Sequence, residues 1–388
     1  MGIQEITPEF IPGAKIKVIG VGGAGNKTLQ RMIDEGLAGV EFVAINTDAQ
    51  DLAINGAQIK VNIGLNITKG LGAWANPEIG RKSAEESENE VKEAIKDADM
   101  VFITAWMGGW TGTGAAPVIA AIAKSMGILT IGIVTTPFSF EGKKRALNAE
   151  EGLAKIKDSV DSLIVIPNDK IFTIADKKTS FKQAFTMIDK ILYLGVQGIS
   201  DLLVKPGDIN IDFADLRTVM ADSGNTMLGI GYGAWEKRAV EAAREAIENP
   251  LLETNLDGAK KVIFAVSGWS DLTPMEVQEA VSVIEEILDE DVNMIWGMSF
   301  DDSLEDEVKV TVIATWFQEQ SKAPIQKRPD RDILGRTTKT SGNVFSRVIA
   351  DTPKDTSETQ SVTNDFDESD TPAFVTKRLN QNWWQENS

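Results

Sequence analysis

The amino-acid sequence predicts an α/β protein. A parallel-sheet nucleotide-binding domain is joined by a long central helix to a smaller α/β domain, and a disordered C-terminal tail follows. Short apolar runs alternate with helical segments in the first half of the chain, which is typical of a parallel sheet covered on both faces. Glycine-rich loops at 22–25 and 108–114 directly follow two of these runs. Residues 181–205 keep a helical apolar spacing throughout, which predicts the central helix.

The first domain is predicted at residues 14–179, after an N-terminal extension at 1–13. Both glycine loops lie at carboxyl ends of its strands, where sheets of this kind bind ligands. Strands are expected at 16–21, 41–46, 61–63, 100–104, 129–134 and 162–166, and helices from the first glycine loop to about 35, at 83–96 and at 115–126.

The second half contains the central helix at 180–205, a smaller α/β domain at 206–318 and a tail. Residues 319–368 are rich in Ser, Thr, Asp, Lys and Pro and have too few large apolar side chains to fold, so they predict a disordered linker. Residues 369–388 form an apolar island at its end, predicted to be a partner-binding peptide. Elements of the smaller domain are expected within 212–224, 235–248, 262–266, 274–288, 292–296 and 308–314.

The amino-acid composition excludes several kinds of chemistry and disfavours several kinds of binding partner. The 388-residue chain has a net charge of −19, which disfavours binding to nucleic acid or to anionic membranes. It contains no Cys and no His, which excludes disulfides, thiolate metal sites and His-based catalysis. The N-terminus lacks a basic and apolar signal, and no run of 18 apolar residues occurs, so we expect a cytoplasmic protein without direct membrane insertion.

The glycine loops favour phosphate binding, because glycine allows close backbone approach and the helix N-terminus that follows presents free N–H groups. The first loop alone, GVGGAGN, could equally open the dinucleotide site of a nicotinamide-dependent oxidoreductase. Three observations disfavour that alternative. An acidic ribose partner about 20 residues on is not clearly placed, the second Gly/Thr loop would be unexplained, and His is absent as a proton donor.

Several motifs in order make the chain resemble the FtsZ family, the bacterial tubulin-like cell-division GTPases, over about residues 14–317. The loop GGWTGTG (108–114) resembles the family's GGGTGTG phosphate loop and lacks the Lys of other NTPase loops. The other matching segments are IGVGGAGN (19–26), NTDAQ (46–50), KGLGAWANPEIGRKSAEES (69–87), TPFSFEGKKR (136–145), IVIPND (164–169), VQGISDLL (196–203) and INIDFADLRTVM (209–220).

This resemblance implies that GTP or GDP binds to the first domain. Glu141 would then meet the ribose, Arg145 the phosphate side, and Asp189 the guanine edge. On spacing alone, a solvated ion pair explains Glu141 and Arg145 better than a functional role does. A surface carboxylate is the alternative for Asp189, and a helix cap is the alternative for Thr113. The remaining nucleotide-binding residues implied are Gly22, Gly23, Ala24, Gly25, Asn26, Ala73, Gly109, Trp110, Thr111 and Gly112.

The resemblance also implies a catalytic loop that acts on the neighbouring subunit in a head-to-tail homopolymer. Asn210, Asp212 and Asp215 form N-x-D-x-x-D, and their carboxylates would orient water against the γ-phosphate while Mg²⁺ offsets charge. Without the resemblance, a helix N-cap and a first-turn acid would be the default explanation of the two aspartates. The chain is thus expected to be an assembly-dependent GTPase of the bacterial septal ring.

The end of the tail resembles the family's C-terminal peptide. Its sequence DTPAFV contributes Asp370, Pro372, Phe374 and Val375. An apolar island of this kind needs a partner groove, and the resemblance implies a membrane-tethering division protein such as an FtsA-like one. The expected location is therefore a mid-cell ring in the cytoplasm.

The main difference between this sequence and the family is the presence of tryptophan at positions where the family has glycine. We hypothesise that the coding gene carries UGA at six positions and that UGA, which some bacteria read as glycine, is rendered here as Trp. If the side chains are genuine, those in the phosphate loops should obstruct nucleotide, and the alternative function is a non-hydrolysing structural filament or partner-binding relative. The six residues that stand where the family has glycine are Trp74, Trp106, Trp110, Trp235, Trp269 and Trp316.

Overall fold

The first sheet consists of seven strands, and each of the six longer ones is a short, mostly apolar run. These strands are β1 (Ile16–Val21), β2 (Val40–Asn46), β3 (Ile59–Asn62), β4 (Met100–Trp106), β5 (Leu129–Thr136), β6 (Ser162–Pro167) and β7 (Gly224–Asn225). Their spatial order is β3-β2-β1-β4-β5-β6-β7, and every neighbouring pair is parallel. The order reverses between β1 and β4, so the crevice that binds ligands in such sheets lies at their carboxyl ends.

Helices cover both faces of this sheet, which confirms the predicted architecture. One face buries Leu29 and Phe102, and the opposite face buries Ile103 and Ile119, all without solvent exposure. The helices of this part are α1 (Gly22–Asp34), α2 (Ala49–Ile54), α3 (Leu65–Thr68), α4 (Pro77–Glu86), α5 (Glu88–Ile95), α6 (Thr111–Ser125) and α7 (Lys143–Lys157), with 3₁₀ turns at Ser139–Glu141 and Asn168–Thr173.

A 24-residue helix, α8 (Phe181–Val204), is the predicted central helix. It lies between the first sheet and a second one, because its Leu192 and Ile199 share one hydrophobic core with Ile131 of the first sheet and Ile263 of the second.

The second, smaller sheet is mixed. Its strands are β8 (Met227–Ala234), β9 (Lys261–Gly268), β10 (Asn293–Phe300) and β11 (Glu307–Thr315), and the helices of this part are α9 (Phe213–Met220), α10 (Arg238–Glu248) and α11 (Pro274–Glu285). The strand order is β10-β9-β11-β8, with β11 antiparallel to both of its neighbours.

This computed structural model describes residues 13–315, except 174, 176–177, 205–206, 208, 249–255, 257 and 290. All the described residues lie in one compact unit. The predicted linker at 319–368, the peptide at 369–388 with Asp370, Pro372, Phe374 and Val375, and Trp316 all lie outside the described residues.

Two predicted helices differ from those observed. The charged segment at 83–96 contains two helices, α4 and α5, because Ser87 leaves the helical backbone and its hydroxyl accepts the N–H of Gly64 at 3.0 Å. The helix predicted at 115–126 begins at Thr111, directly at the second glycine loop. Thr113 is therefore inside α6, Trp110 holds the N-cap position, and the predicted capping role of Thr113 is wrong.

Strand β8 was not predicted, because glycines interrupt its apolar pattern. Gly229, Gly231 and Gly233 all point toward α10, and a Cβ on any of them would collide with the backbone of that helix. In the case of Gly231, the colliding atoms are the carbonyl oxygen of Ala242 and the nitrogen of Ala246. These glycines therefore allow α10 to lie in direct backbone contact with the strand.

Two of the tryptophans that stand where the family has glycine adopt a backbone conformation that favours glycine. Trp74 has φ +46° and Trp235 has φ +70°, in the left-handed region that a bulky L-residue rarely enters. Both side chains are exposed, at 59% and 77%, so little packing compensates for the strain. This observation supports the hypothesis that both codons specify glycine.

Replacing Trp235 with glycine is expected to raise the free energy of unfolding by about 0.5–1 kcal/mol, because relief of strain outweighs the added freedom of the unfolded chain. Trp269→Gly is the matched control: Trp269 is also exposed, but its φ is not positive. That control should leave stability unchanged or lower it. Denaturant unfolding of both variants makes the comparison, and equal effects would contradict the role of strain.

Candidate functional site

The two glycine loops meet at the carboxyl ends of β1 and β4. Gly22 has φ +74°, and a Cβ on it would lie 2.8 Å from the backbone nitrogen of Gly112. Helices α1 and α6 begin within these loops. The positive ends of two helix dipoles, with their unpaired N–H groups, therefore converge on one place, an arrangement that favours a phosphate group.

Thr47 connects two further loops to the place where the glycine loops meet. Its hydroxyl lies 2.8 Å from the hydroxyl of Thr111. Its carbonyl accepts the N–H of Gly72 at 3.2 Å, which sets the following residue, Ala73, against the same group of loops. The structure thus brings the predicted residues of segments 22–26, 73 and 109–112 to one edge of the sheet.

Asn26 is the most enclosed polar side chain of the first loop, with 1% exposure. Its Nδ2 donates to the carbonyl of Ile45 at 3.4 Å, whereas its Oδ1 has no hydrogen-bond partner. Gly25 lies against the carbonyl of Thr104, where a Cβ would come within 2.6 Å of the oxygen. Close backbone packing therefore fixes the loop, and one buried acceptor remains for a ligand.

Glu141 and Arg145 form an ion pair beside the second loop. Nε of Arg145 lies 2.9 Å from Oε2 of Glu141 without the alignment of a hydrogen bond. The other carboxylate oxygen accepts the N–H of Phe138 at 2.8 Å. A Cβ on Gly108 would lie 2.7 Å from the carbonyl of Arg145, so the pair stands next to the phosphate loop. The ion pair is present, and contact of these residues with nucleotide stays a prediction.

Asp189 is buried, with 7% exposure, so the alternative of a surface aspartate is wrong. Thr28 donates its hydroxyl to Oδ1 at 2.6 Å, and Nε of Arg31 donates to Oδ2 at 3.2 Å. Burial raises the pKa of the Asp189 carboxyl, although Thr28 and Arg31 act in the opposite direction. A buried carboxylate with donors from α1 is poised to exchange them for donors on a ligand.

Asn168 was not singled out from the sequence, and its position makes it a candidate member of this site. It follows β6 at the same sheet edge and is fully buried, yet neither polar atom of its side chain has a hydrogen-bond partner. Buried amides are almost always satisfied, so this one indicates a ligand. The available signal was its position directly after an apolar strand that ends at the ligand-binding edge.

The predicted catalytic loop lies at the other end of α8. Asp189 lies in the first half of the helix, where it contacts α1, whereas Val204 ends the helix against Gly39, which precedes β2 at the opposite edge of the sheet. Residues 189 and 204 are fifteen positions apart, which corresponds to about 22 Å along the helix axis. Asn210, Asp212 and Asp215 follow that end, so the structure does not bring them to the glycine loops of their own chain.

Local hydrogen bonds hold this loop. Asp212 is the N-cap of α9, and its Oδ1 accepts the N–H of Asp215 at 2.7 Å. Oδ1 of Asn210 accepts the N–H of Gly207 at 2.7 Å. All three side chains are exposed. The predicted N-cap is therefore present. It leaves the carboxylate oxygens of Asp212 and Asp215 that take no part in the cap open to solvent.

Among the residues that the structure describes, no group of three or more acidic side chains is arranged to hold a metal ion. A Mg²⁺ ion at the glycine loops would take most of its ligands from nucleotide phosphates and water, as is usual for this ion. Asp51 is the carboxylate beside the first loop, with Oδ2 3.6 Å from the Cβ position of Gly23, and this donor set fits such an ion.

Two glycine loops converge at the edge of a parallel sheet, a buried carboxylate lies on the central helix, and a second domain follows that helix. This combination is typical of nucleotide-binding proteins of the tubulin type. The GTPase domain of the Tubulin/FtsZ family matches residues 15–176, and the C-terminal domain of the FtsZ family matches residues 224–318. The chain therefore belongs to the FtsZ family of tubulin-like proteins, whose GTPase domain implies binding of guanine nucleotide.

Solved structures agree with this assignment. The FtsZ dimer of M. jannaschii, solved empty, is 46% identical with a TM-score of 0.74, over 80% of this chain and 92% of that one. A point mutant of that FtsZ is 47% identical, with the same TM-score, over 79% and 92%. CetZ1 from Haloferax volcanii, a GDP-bound monomer, shares the fold at 23% identity and a TM-score of 0.68, over 79% and 95%. Within the described part of the chain, none of the helices combines the length and apolar character needed to cross a bilayer.

Proposed function

We propose that this chain is a GTP-dependent polymerising cytoskeletal protein of bacterial cell division that hydrolyses GTP between subunits. The observation that carries the proposal is the separation of its two functional loops. The glycine loops and Asp189 lie at one end of α8, and the loop with Asp212 follows the other end. One subunit has both halves of a hydrolytic site but holds them apart, so a second copy must complete each site.

The residues have distinct roles in this proposal. The glycine loops and the N-termini of α1 and α6 bind the phosphates through backbone N–H groups. Asp189 and Asn168 hold the base side, while Glu141 and Arg145 hold the sugar and phosphate side. Asp212 and Asp215 of the next subunit orient the attacking water. Mg²⁺ supplies charge compensation on the phosphates when it is bound.

Self-association is supported by the relative of M. jannaschii, which was solved as a dimer. The contact we propose is head-to-tail, because it joins the nucleotide end of one copy to the Asp212 end of the next. A contact between two different surfaces that does not close into a ring produces an open filament.

The tail extends the proposal to partners and location. Residues 319–368 would act as a tether, and Asp370, Pro372, Phe374 and Val375 would dock to a membrane-tethering division protein such as an FtsA-like one. The support comes from the sequence, in which the apolar island is preceded by acids and followed by Lys377 and Arg378. In this way a cytoplasmic filament would reach the septal ring at mid-cell.

The second candidate function is a non-hydrolysing structural filament or partner-binding relative. It is favoured by the position of Trp110, which is 36% exposed at the N-cap of α6, in the loop that should face the phosphates. Purified protein that carries no guanine nucleotide, and does not bind it when it is added, would favour this candidate over the first.

GTP hydrolysis per molecule is expected to increase with protein concentration, because each active site needs two subunits. The measurement is phosphate release over a dilution series at saturating GTP, with light scattering to follow assembly in parallel. Activity should fall toward zero where scattering disappears. Activity per molecule that stays constant over the whole series, with hydrolysis present, would contradict a shared site.

A further inference from the structure

One aromatic side chain lies where the proposed nucleotide site should receive its base. Trp106, the last residue of β4, packs against α8 with its ring centroid 5.5 Å from that of Phe185, at an interplanar angle of 39°. Its Nε1 donates to the hydroxyl of Thr28 at 3.3 Å. That hydroxyl in turn donates to Oδ1 of Asp189 at 2.6 Å. The indole N–H is thus linked to the buried carboxylate through a single hydroxyl.

A purine base would need the kind of surroundings that the indole of Trp106 has. Its flat bicyclic ring would stack on an aromatic face, and its N–H donors would point to a carboxylate acceptor. Phe185 lies one helical turn before Asp189 on α8, so the ring and the carboxylate share one face of the helix. An indole has nearly the size and shape of a purine, but it has only one N–H and no acceptor.

Two buried polar groups on the strands that follow β4 in the sheet lack hydrogen-bond partners. Thr135 pairs with Trp106 across β4 and β5, and its buried hydroxyl has no partner. Asn168 begins the turn after β6, just past the strand residues paired with Thr135 and Thr136, and its amide is also without a partner. A nucleotide base has more donors and acceptors than an indole and would be better able to satisfy such groups.

We infer that the indole of Trp106 occupies the base subsite and therefore determines whether the site accepts a nucleotide base. This inference rests on the proposed function, because it takes Asp189 as the base-side carboxylate. With Trp106 in place, phosphates still reach the glycine loops, but a guanine ring must first displace the indole from Phe185. A glycine at this position, as the coding hypothesis requires, leaves the subsite open.

The test compares two ligands that differ in having a base. GDP carries the base, and inorganic tripolyphosphate carries phosphates alone. Trp106→Gly is expected to bind GDP at least about tenfold more tightly than the parent chain, because stacking and hydrogen bonds are regained, with no change for tripolyphosphate. Trp106→Ala should act in the same direction and keeps an ordinary backbone at the end of the strand. Isothermal titration calorimetry measures both ligands, and circular dichroism verifies folding.

Two control variants distinguish an effect on binding of the base from an effect on binding of the phosphates. Trp110→Gly should strengthen the binding of both GDP and tripolyphosphate, because Trp110 stands in the phosphate loop. Trp269→Gly, far along the chain on the β9–α11 connection, should change neither. Equal GDP affinity of the parent, Trp106→Gly and Trp106→Ala would overturn the assignment of the indole to the base subsite. Failure of every variant to bind GDP would overturn the proposed function itself.

Discussion

Asp212→Ala is expected to lower GTP hydrolysis by a factor of about 100 or more, the range found when a group that positions or activates the attacking water is removed. Affinity of the isolated subunit for GTP should not change, because Asp212 follows the end of α8 remote from the glycine loops. Binding is measured below the assembly threshold, and hydrolysis above it. Mixed with the parent chain, the variant should also slow filament turnover.

The cap that Asp212 provides requires a control. Loss of its bond to the N–H of Asp215 lowers stability by about 1 kcal/mol and could disturb assembly by itself. Asp212→Asn keeps an oxygen that caps α9 but removes the charge. Hydrolysis should be lost in both variants, whereas stability should fall only in Asp212→Ala. Full hydrolysis by Asp212→Asn would show that the residue acts only as a cap, and loss of GTP binding in either isolated variant would contradict the shared site.

Gly231→Ala is expected to destabilise the described unit by about 3 kcal/mol, because the added methyl group meets the backbone of α10 and no side chain can move aside. For a unit of this size the melting temperature should fall by about 5 °C. Gly268→Ala on β9 is the matched control, since its Cβ would meet only side-chain atoms at 3.4 Å or more. Equal melting temperatures for the two variants would contradict the close contact of β8 and α10.

The regular parts of the fold were predictable from short-range patterns. Runs such as 16–21 and 100–104 are mostly apolar, and in an alternating α/β sequence that pattern indicates buried parallel strands. The long helix was equally clear, because its apolar spacing continues over 24 residues. The converging glycine loops followed from their position after two such strands.

The remaining features depend on contacts distant in sequence. Strand β8 escaped prediction because its glycines serve α10 rather than any local pattern. The break at Ser87 depends on the N–H of Gly64, 23 residues earlier. Asn168 gave no signal of its own, since an Asn after a strand also suits an ordinary turn. The position of the Trp106 indole beside Phe185 arises from the packing of β4 on α8, which spacing along the chain does not reveal.

In the head-to-tail filament proposed above, the separation of the two loops along α8 also gives the assembly a direction. Every subunit points the same way, so one terminus of a filament presents an uncovered nucleotide and the other presents an acidic loop with nothing to act on. A filament of n subunits then carries n nucleotides but only n − 1 finished sites. A pair of subunits can hydrolyse at most half of its bound nucleotides, whereas a long filament can hydrolyse nearly all of them. Turnover per nucleotide therefore reports filament length, and a molecule that binds just one terminus controls growth there without touching the interior.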